Sequence, residues 1–382
     1  MSGPLEGVRV LDLTRVLAGP YATMMLADAG AEVVKVERPG AGDDTRGYGP
    51  PFAEPEGAPR ESVYFLAINR GKRSVVLDFD DEEDLARLHA LVAEADVLCE
   101  NFRPGVMDKL GLGEERLAEL NPALVVLSIT GFGAGGPEGH RSGFDQIVQG
   151  EAGLMSITGP PEGPPSKVGV PIADILAGMF GAYGVVAALV ERAHSGKGQW
   201  VRTSLLGGSV AVHTYHGTRW LVAGEVSGLG SNRHPTIQPY GTFDCADGAM
   251  NLCVGSEGLW RRFAPLVGID PADPRFATNG DRVAHAGALE EAMRPALEAA
   301  TVDAWVARLD DAGVPAGKVK TIDEVYASPQ VAHLGLVDVV DHATLGEVRL
   351  PGSPVDYSRT PRGAPLAPPT LGQHDGEGFS PR

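Results

Sequence analysis

The chain has 382 residues, with 32 basic and 50 acidic side chains for a formal net charge of -18, and 43% of its residues are hydrophobic. That balance excludes a short peptide module and describes an acidic globular protein rather than a disordered one, with apolar content for one large or two modest cores. It also argues against nucleic-acid binding, because a net negative field repels phosphate and any anionic ligand needs a locally basic pocket.

Cys99, Cys245 and Cys253 are too scattered for a disulfide framework and lack the paired spacing of a zinc site, so a reducing cytoplasm and no metal are expected. The opening Met1–Glu6 shows no basic flank before an apolar stretch, as a secretory leader would.

In chain order, Val8–Leu13 reads as a strand, Pro20 opens a helix that stops at Ala29-Gly30, and Glu32–Glu37 returns as a strand, completing a βαβ unit. The pattern repeats with Val75–Leu77, a helix from about Asp81 to Ala95 preceded by an Asp80/Glu83 capping signal, and Asp96–Leu98. Leu124–Ile129 is a third β-rich run. Such alternation predicts an α/β fold: an open, mostly parallel sheet with helices on both faces.

The apolar run Ile175–Val190, interrupted by three glycines, reads as a buried helix too short to span a membrane. Residues from about 205 to 225 look helical and lead to the Ser227–Asn232 loop. Strand-like Pro239–Phe243 and Ala249–Val254, with helices over Leu289–Leu297 and Val302–Ala312, mark a smaller α+β domain in which Trp305 and Leu309 share a face. From Pro351 the chain is proline-rich and is expected to wrap an existing surface.

Three motifs match weakly. Gly131–Gly136 follows a strand and fits a dinucleotide fingerprint, but the Pro137–Gly143 segment reads as a loop where the helix should open. Gly207–Ala211 resembles a nucleophile elbow without its final glycine, and His213 and His216 share a helical face without an obvious third metal ligand.

Asp174 stands at the start of the long apolar helix, where backbone amides and the helix dipole favour its ionised form; it reads either as an N-cap or as a nucleophile. Basic residues cluster near predicted strand ends: Lys35, Arg38, Arg46, Arg70, Lys72 and Arg73. They are either solvated surface charges or a seat for a phosphorylated ligand, since open α/β sheets bind ligands at strand carboxyl ends.

Several blocks in order resemble the class III coenzyme A transferases (CaiB/BaiF type, formyl-CoA transferase-like), which are related to the alpha-methylacyl-CoA racemases. They are Gly7–Leu13 through Ala18-Gly19-Pro20, Leu26–Pro39, Asn69–Ser74, Glu100–Gly105 and Gly196–Val201. The resemblance implies that Asp174 is the catalytic aspartate, passing through an acyl anhydride and an enzyme-CoA thioester, with an acyl-CoA and a small carboxylic acid as substrates and no tightly bound cofactor.

It further implies CoA contacts at Leu17, Ala18, Arg38, Leu77 with Asp78 to Asp80, Asn101, Phe102 and Lys109, and active-site positions Ser142, Phe144 and Asp145. Gly228 and Gly230 match a glycine lid. Asn232, Arg233, His234, Gln238 and Tyr240 are candidate acceptor contacts, since a small acid needs a cationic or hydrogen-bonding anchor.

The racemase branch is the close alternative, but Phe144 stands where it has its histidine, leaving only nearby His140 as a base. A noncatalytic CoA-binding protein, with Asp174 a mere cap, is the other. From charge and the short apolar run, neither nucleic acid nor a membrane is expected as a partner; the resemblance implies an interlocked homodimer. Its large Rossmann-like domain takes residues 1–200, with a linker at 201–225, a small domain at 226–325, and a linker and return at 326–382.

Overall fold

The computed structural model describes residues 3–55, 57–230 and 232–381. The chain divides into two compact units: one comprises residues up to Leu154, Val168–Glu225 and Pro329 onward, the other Met155–Lys167 and Val226–Ser328.

The first unit begins with β1 (Arg9–Asp12), α1 (Ala18–Asp28), β2 (Glu32–Glu37), α2 (Val63–Ile68), β3 (Lys72–Val76), α3 (Glu82–Glu94), β4 (Val97–Glu100) and β5 (Val125–Thr130). It continues with α4 (Asp145–Glu151), α5 (Ile172–Ser195), β6 (Trp200–Ser204), α6 (Leu205–Ala211) and α7 (Thr214–Ala223). Residues 201–225, expected as a linker, thus carry most of β6 and two helices.

Among the described residues six strands form one sheet in the order β3-β2-β1-β4-β5-β6, every neighbour parallel. This is the doubly wound order, and it reverses direction between β1 and β4. Side chains alternate between two cores: Val10, Val33, Val97 and Leu127 pack with α1 and α5, whereas Leu11, Val34, Leu98 and Val126 pack with α3. Because both faces are covered, β1 is buried along its whole length.

Local signals shift by a residue or two. Helix α1 starts at Ala18 rather than at Pro20, and the side chain that caps α3 is Asp81, not Asp80, accepting the amides of Glu83 and Asp84. The tail behaves as expected. Gly71 donates to the Leu366 carbonyl, His374 to the Ser74 carbonyl and Val76 to Asp375 along the edge strand β3, and Phe379 enters the α3-side core.

The long helix departs from expectation. It runs 24 residues and is long and apolar enough, by length and composition, to cross a membrane. It packs one face on the sheet, with Ala173, Ala177, Gly181 and Val185 buried, but leaves Met179, Phe180, Tyr183, Val186 and Val190 exposed, so it is not the fully buried helix that its composition suggested.

The basic cluster is also corrected, because most of it serves the interior rather than a ligand. Lys35 pairs with Asp43 at 2.9 Å and Lys72 with Asp12 at 3.1 Å, all four side chains fully buried. Arg70 pairs with Asp28, Arg46 with Glu37, and Arg73 with Glu32. Burial opposes ionisation of Asp12, but Lys72, Lys35 and the hydroxyls of Thr14 and Thr23 outweigh it and hold the acid at about 2.

The second unit holds β7 (Tyr240–Cys245), β8 (Gly248–Cys253), α8 (Glu257–Phe263), α9 (Ala286–Leu297), α10 (Val302–Asp311) and β9 (Ala316–Lys318). The three strands form an antiparallel sheet ordered β9-β8-β7. Trp260, Phe263, Trp305 and Leu309 fill a separate core, with Trp305 and Leu309 on one buried face as their spacing predicts. A β-hairpin of β10 (Val337–His342) and β11 (Gly346–Pro351) returns the chain to the first unit.

Candidate active site

In doubly wound sheets, ligands sit outside the strand carboxyl ends where the strand order reverses. The loops after β1 and β4 meet at that point here: the side-chain amide of Asn101 donates to the Arg15 carbonyl at 2.7 Å, and its oxygen accepts the Arg15 amide at 2.9 Å. Between them opens a cavity of about 290 Å³.

Leu17, Ala18, Asn101, Phe102, Ser142, Phe144 and Asp174 all line that cavity, and so does His140. They come from the β1–α1 turn, the loop after β4, the segment before α4 and the first turn of α5. The loop from Gly131 closes on itself: a Cβ on Gly131 would lie 2.5 Å from the Gly143 backbone nitrogen, so only glycine permits the approach that brings His140 and Ser142 to the rim. This run is a loop, and the next helix begins at Asp145, consistent with the failed dinucleotide context.

Asp174 is not an N-cap. Pro171 holds that position, and Asp174 is the third residue of α5. The helix end is instead served from α4, where Asp145 accepts the Ala173 amide at 2.8 Å and the Gln149 side-chain amide at 2.7 Å. Gln149, fully buried, also accepts the Val168 amide at 2.9 Å. Burial and then the nearby Asp145 carboxylate push Asp174 up to about 7, opposite to the expected effect of the helix dipole. Among the described residues no cation pairs with it.

The sequence missed three neighbours. Arg15 and Arg103 line the cavity, Arg15 with its guanidinium 5.8 Å from the Phe102 ring centroid and 3.6 Å from Asp44. Both adjoin strand ends at the reversal point, and that topological rule is the signal that could have found them. Tyr64 on α2 is the third: burial first, then Asp174, Tyr48, Asp145 and Asp43, push its phenol up to about 12. It remains a neutral hydrogen-bond donor, and its ring meets Tyr48 edge-on at 5.5 Å.

Other expected positions lie outside this cavity. Arg38 pairs with Asp44 and borders a different hollow, Leu77 is buried in the α3-side core, Asp78 is exposed with its amide on Asp84, and Lys109 is exposed on the short helix Val106–Lys109. Asp145 stands behind Asp174 rather than in the cavity wall.

In the second unit, Arg233 is held by Glu290, and His234 stacks on Tyr240 with ring centroids 4.9 Å apart. Asn232 and Tyr240 border a hollow with Thr242 and Cys253. Gln238 is buried, and Gly228 and Gly230 lie in a segment without helix or strand.

The other two weak motifs resolve simply. A strand does run directly into α6, but Ser209 lies within the helix on its buried face, and His213 bonds the Ala152 carbonyl at 2.7 Å.

The fold and site are those of a doubly wound, Rossmann-like protein with an unpaired carboxylate in a cavity where the strand order reverses. The family model described as CoA-transferase family III matches residues 5–375, and the chain belongs to that family and is a CoA-transferase.

It is 42% identical over 385 aligned residues to the succinate–glutarate CoA-transferase of Agrobacterium fabrum, covering 98% of this chain and 94% of the relative. It is 39% identical to the acetyl-CoA:oxalate CoA-transferase of Acetobacter aceti, covering 93% of this chain and 90% of the relative. The crystal structure of a CaiB/BaiF family protein from Brucella suis superposes with a TM-score of 0.88 at 39% identity, covering 98% of both chains.

Proposed function

We propose that this enzyme moves coenzyme A from a succinyl-type thioester to a small dicarboxylic acid, with Asp174 as the nucleophile. The observation that carries the reading is an ionisable, unpaired carboxylate at the wall of a cavity where the doubly wound sheet reverses order. The substrate class rests on the activities of the relatives, whose substrates include succinate, glutarate and oxalate.

The Asp174 carboxylate attacks the donor thioester carbonyl, and breaking of the carbon–sulfur bond releases CoA thiolate and leaves an acyl-aspartyl mixed anhydride. The thiolate then attacks the aspartyl carbonyl, expelling the donor acid and leaving an aspartyl-CoA thioester. The acceptor carboxylate displaces the thiolate to form a second anhydride. Thiolate attack on the acceptor carbonyl releases the new acyl-CoA and restores Asp174. Every intermediate remains an activated acyl species, so transfer competes with hydrolysis and favours a site that excludes water.

Arg15 and Arg103 offer cations to the ligand's anionic groups, and Tyr64 offers a neutral donor near the reacting carboxylate. Arg38, Leu77, Asp78 and Lys109 remain proposed CoA contacts beyond this cavity. Gly228 and Gly230 are the proposed lid, and Arg233 and His234 the proposed acceptor contacts. We further assign an interlocked homodimer in the cytoplasm. Contiguous exposed apolar side chains on α5, with Tyr183 at 73% exposure, and Trp220, Leu221 and Val222 on α7 support a partner surface.

The test is succinyl-CoA incubated with the enzyme and quenched with hydroxylamine, followed by peptide mass spectrometry. A hydroxamate at Asp174, and an Asp174→Ala variant that binds CoA without transferring it to glutarate or oxalate, are the expected results. Full turnover by that variant would remove the nucleophile assignment.

A further inference from the structure

The turn between β1 and α1 forms one wall of the cavity through Arg15, Val16, Leu17 and Ala18. Val16 has φ +70°, in the left-handed region that a β-branched residue avoids. Such a conformation persists only where its surroundings over-determine it.

The surroundings here are buried side chains. The Val16 amide donates to Asp43 Oδ1 at 3.2 Å, and Lys35 Nζ donates to the Thr14 carbonyl at 2.7 Å. Lys35 Nζ lies 2.9 Å from Asp43 Oδ2, so one buried ion pair grips the turn on both sides of Arg15. Asp43 is itself fixed by the Thr45 amide and hydroxyl, at 2.9 and 2.8 Å. Asp12 takes the Thr14 amide at 2.9 Å, and Asn101 holds both backbone groups of Arg15. Five consecutive backbone groups from the Thr14 amide to the Val16 amide are thus tied to side chains from four separate stretches of sequence.

We propose that Lys35 and Asp43 are positioning residues for CoA-ester binding: their buried ion pair holds Val16 in its left-handed conformation and so fixes the cavity wall beside Asp174. The assignment rests on reading this cavity as the acyl-CoA site. It explains a feature that a purely stabilising ion pair does not. Both partners spend a hydrogen bond on the same strained turn, although two buried charges of this kind give no assured net stability.

The test uses Asp43→Asn, together with the double variant Lys35→Met/Asp43→Asn, which leaves no unpaired buried charge if the single variant fails to fold. Each is combined with Val16→Gly, since glycine adopts φ +70° without strain. In the folded variants carrying valine, hydrogen exchange of a peptide spanning residues 13–18 accelerates, the dissociation constant for free CoA rises about tenfold, and KM for succinyl-CoA rises more than kcat falls. Adding Val16→Gly recovers most of the CoA affinity.

Unchanged exchange and CoA affinity in a folded variant would overturn the proposal, and so would an affinity loss that Val16→Gly leaves untouched. Hydrogen exchange keeps the two readings separable. Loss of protection in this turn in a protein whose wild type transfers no CoA refutes the substrate reading and upholds the role of the ion pair in holding the turn.

Discussion

The protonation of Asp174 couples its chemistry to pH. A nucleophilic carboxylate must be ionised, and burial with Asp145 behind it raises this one to about 7. The transfer rate therefore climbs as pH rises through about 7, and Asp145→Asn, by removing the like charge, moves that limb to lower pH in a stopped-time CoA-transfer assay. The same shift enters stability with a fixed sign. A carboxyl whose folded pKa lies above its unfolded value of 3.8 favours folding when protonated, and that contribution is lost as pH rises from about 4 through 7. Asp174→Asn is therefore more stable than the wild type at pH 8, by up to about 4 kcal/mol in urea unfolding, and shows no such gain below pH 4.

At the scale of elements, the site depends on how closely two helices approach. A Cβ on Gly178 of α5 would lie 2.6 Å from the Ala18 carbonyl oxygen of α1, so α1 and α5 meet backbone to backbone just where both begin to line the cavity. Gly178→Ala forces them apart, with an expected stability loss of about 1–3 kcal/mol and weaker CoA binding, read by denaturant unfolding and calorimetric titration.

Elements were the most legible level of the sequence, because strand alternation and helix period are local: β2, α3, β5 and α10 all appear where the pattern placed them. Family blocks led to Asn101, Phe102, Ser142 and Phe144, which the fold brings to one cavity. Charge was illegible. Lys35 and Lys72 look like solvent or ligand residues until the strand pairing buries them against Asp43 and Asp12, contacts 8 and 60 residues apart in the chain. The α5 N-terminus was misread for a related reason: its amide partner, Asp145, lies 28 residues upstream.

For the whole molecule, the decisive question is what covers the apolar face of α5. A charged residue placed in a desolvated interface opposes association by an unpaired buried charge. Tyr183→Glu is therefore expected to keep the proposed dimer from assembling as the chains fold, giving smaller or aggregated species in sedimentation velocity, whereas a wild-type protein that sediments as a monomer at micromolar concentration would remove the dimer assignment. Two threaded rings cannot part without unfolding, so a dimer of the proposed kind resists dilution over hours.

The tail has a further consequence, one of timing. Phe379 sits in the same core as Leu11 of β1, and Arg9 donates to the Ser380 carbonyl across 371 positions of chain. A nascent chain on the ribosome can pair β1 with β2 early, yet its α3-side core stays open until residues near 380 have emerged. The large unit is therefore completed late where it was begun early, and until then the edge of β3 and part of the α3-side core stay uncovered.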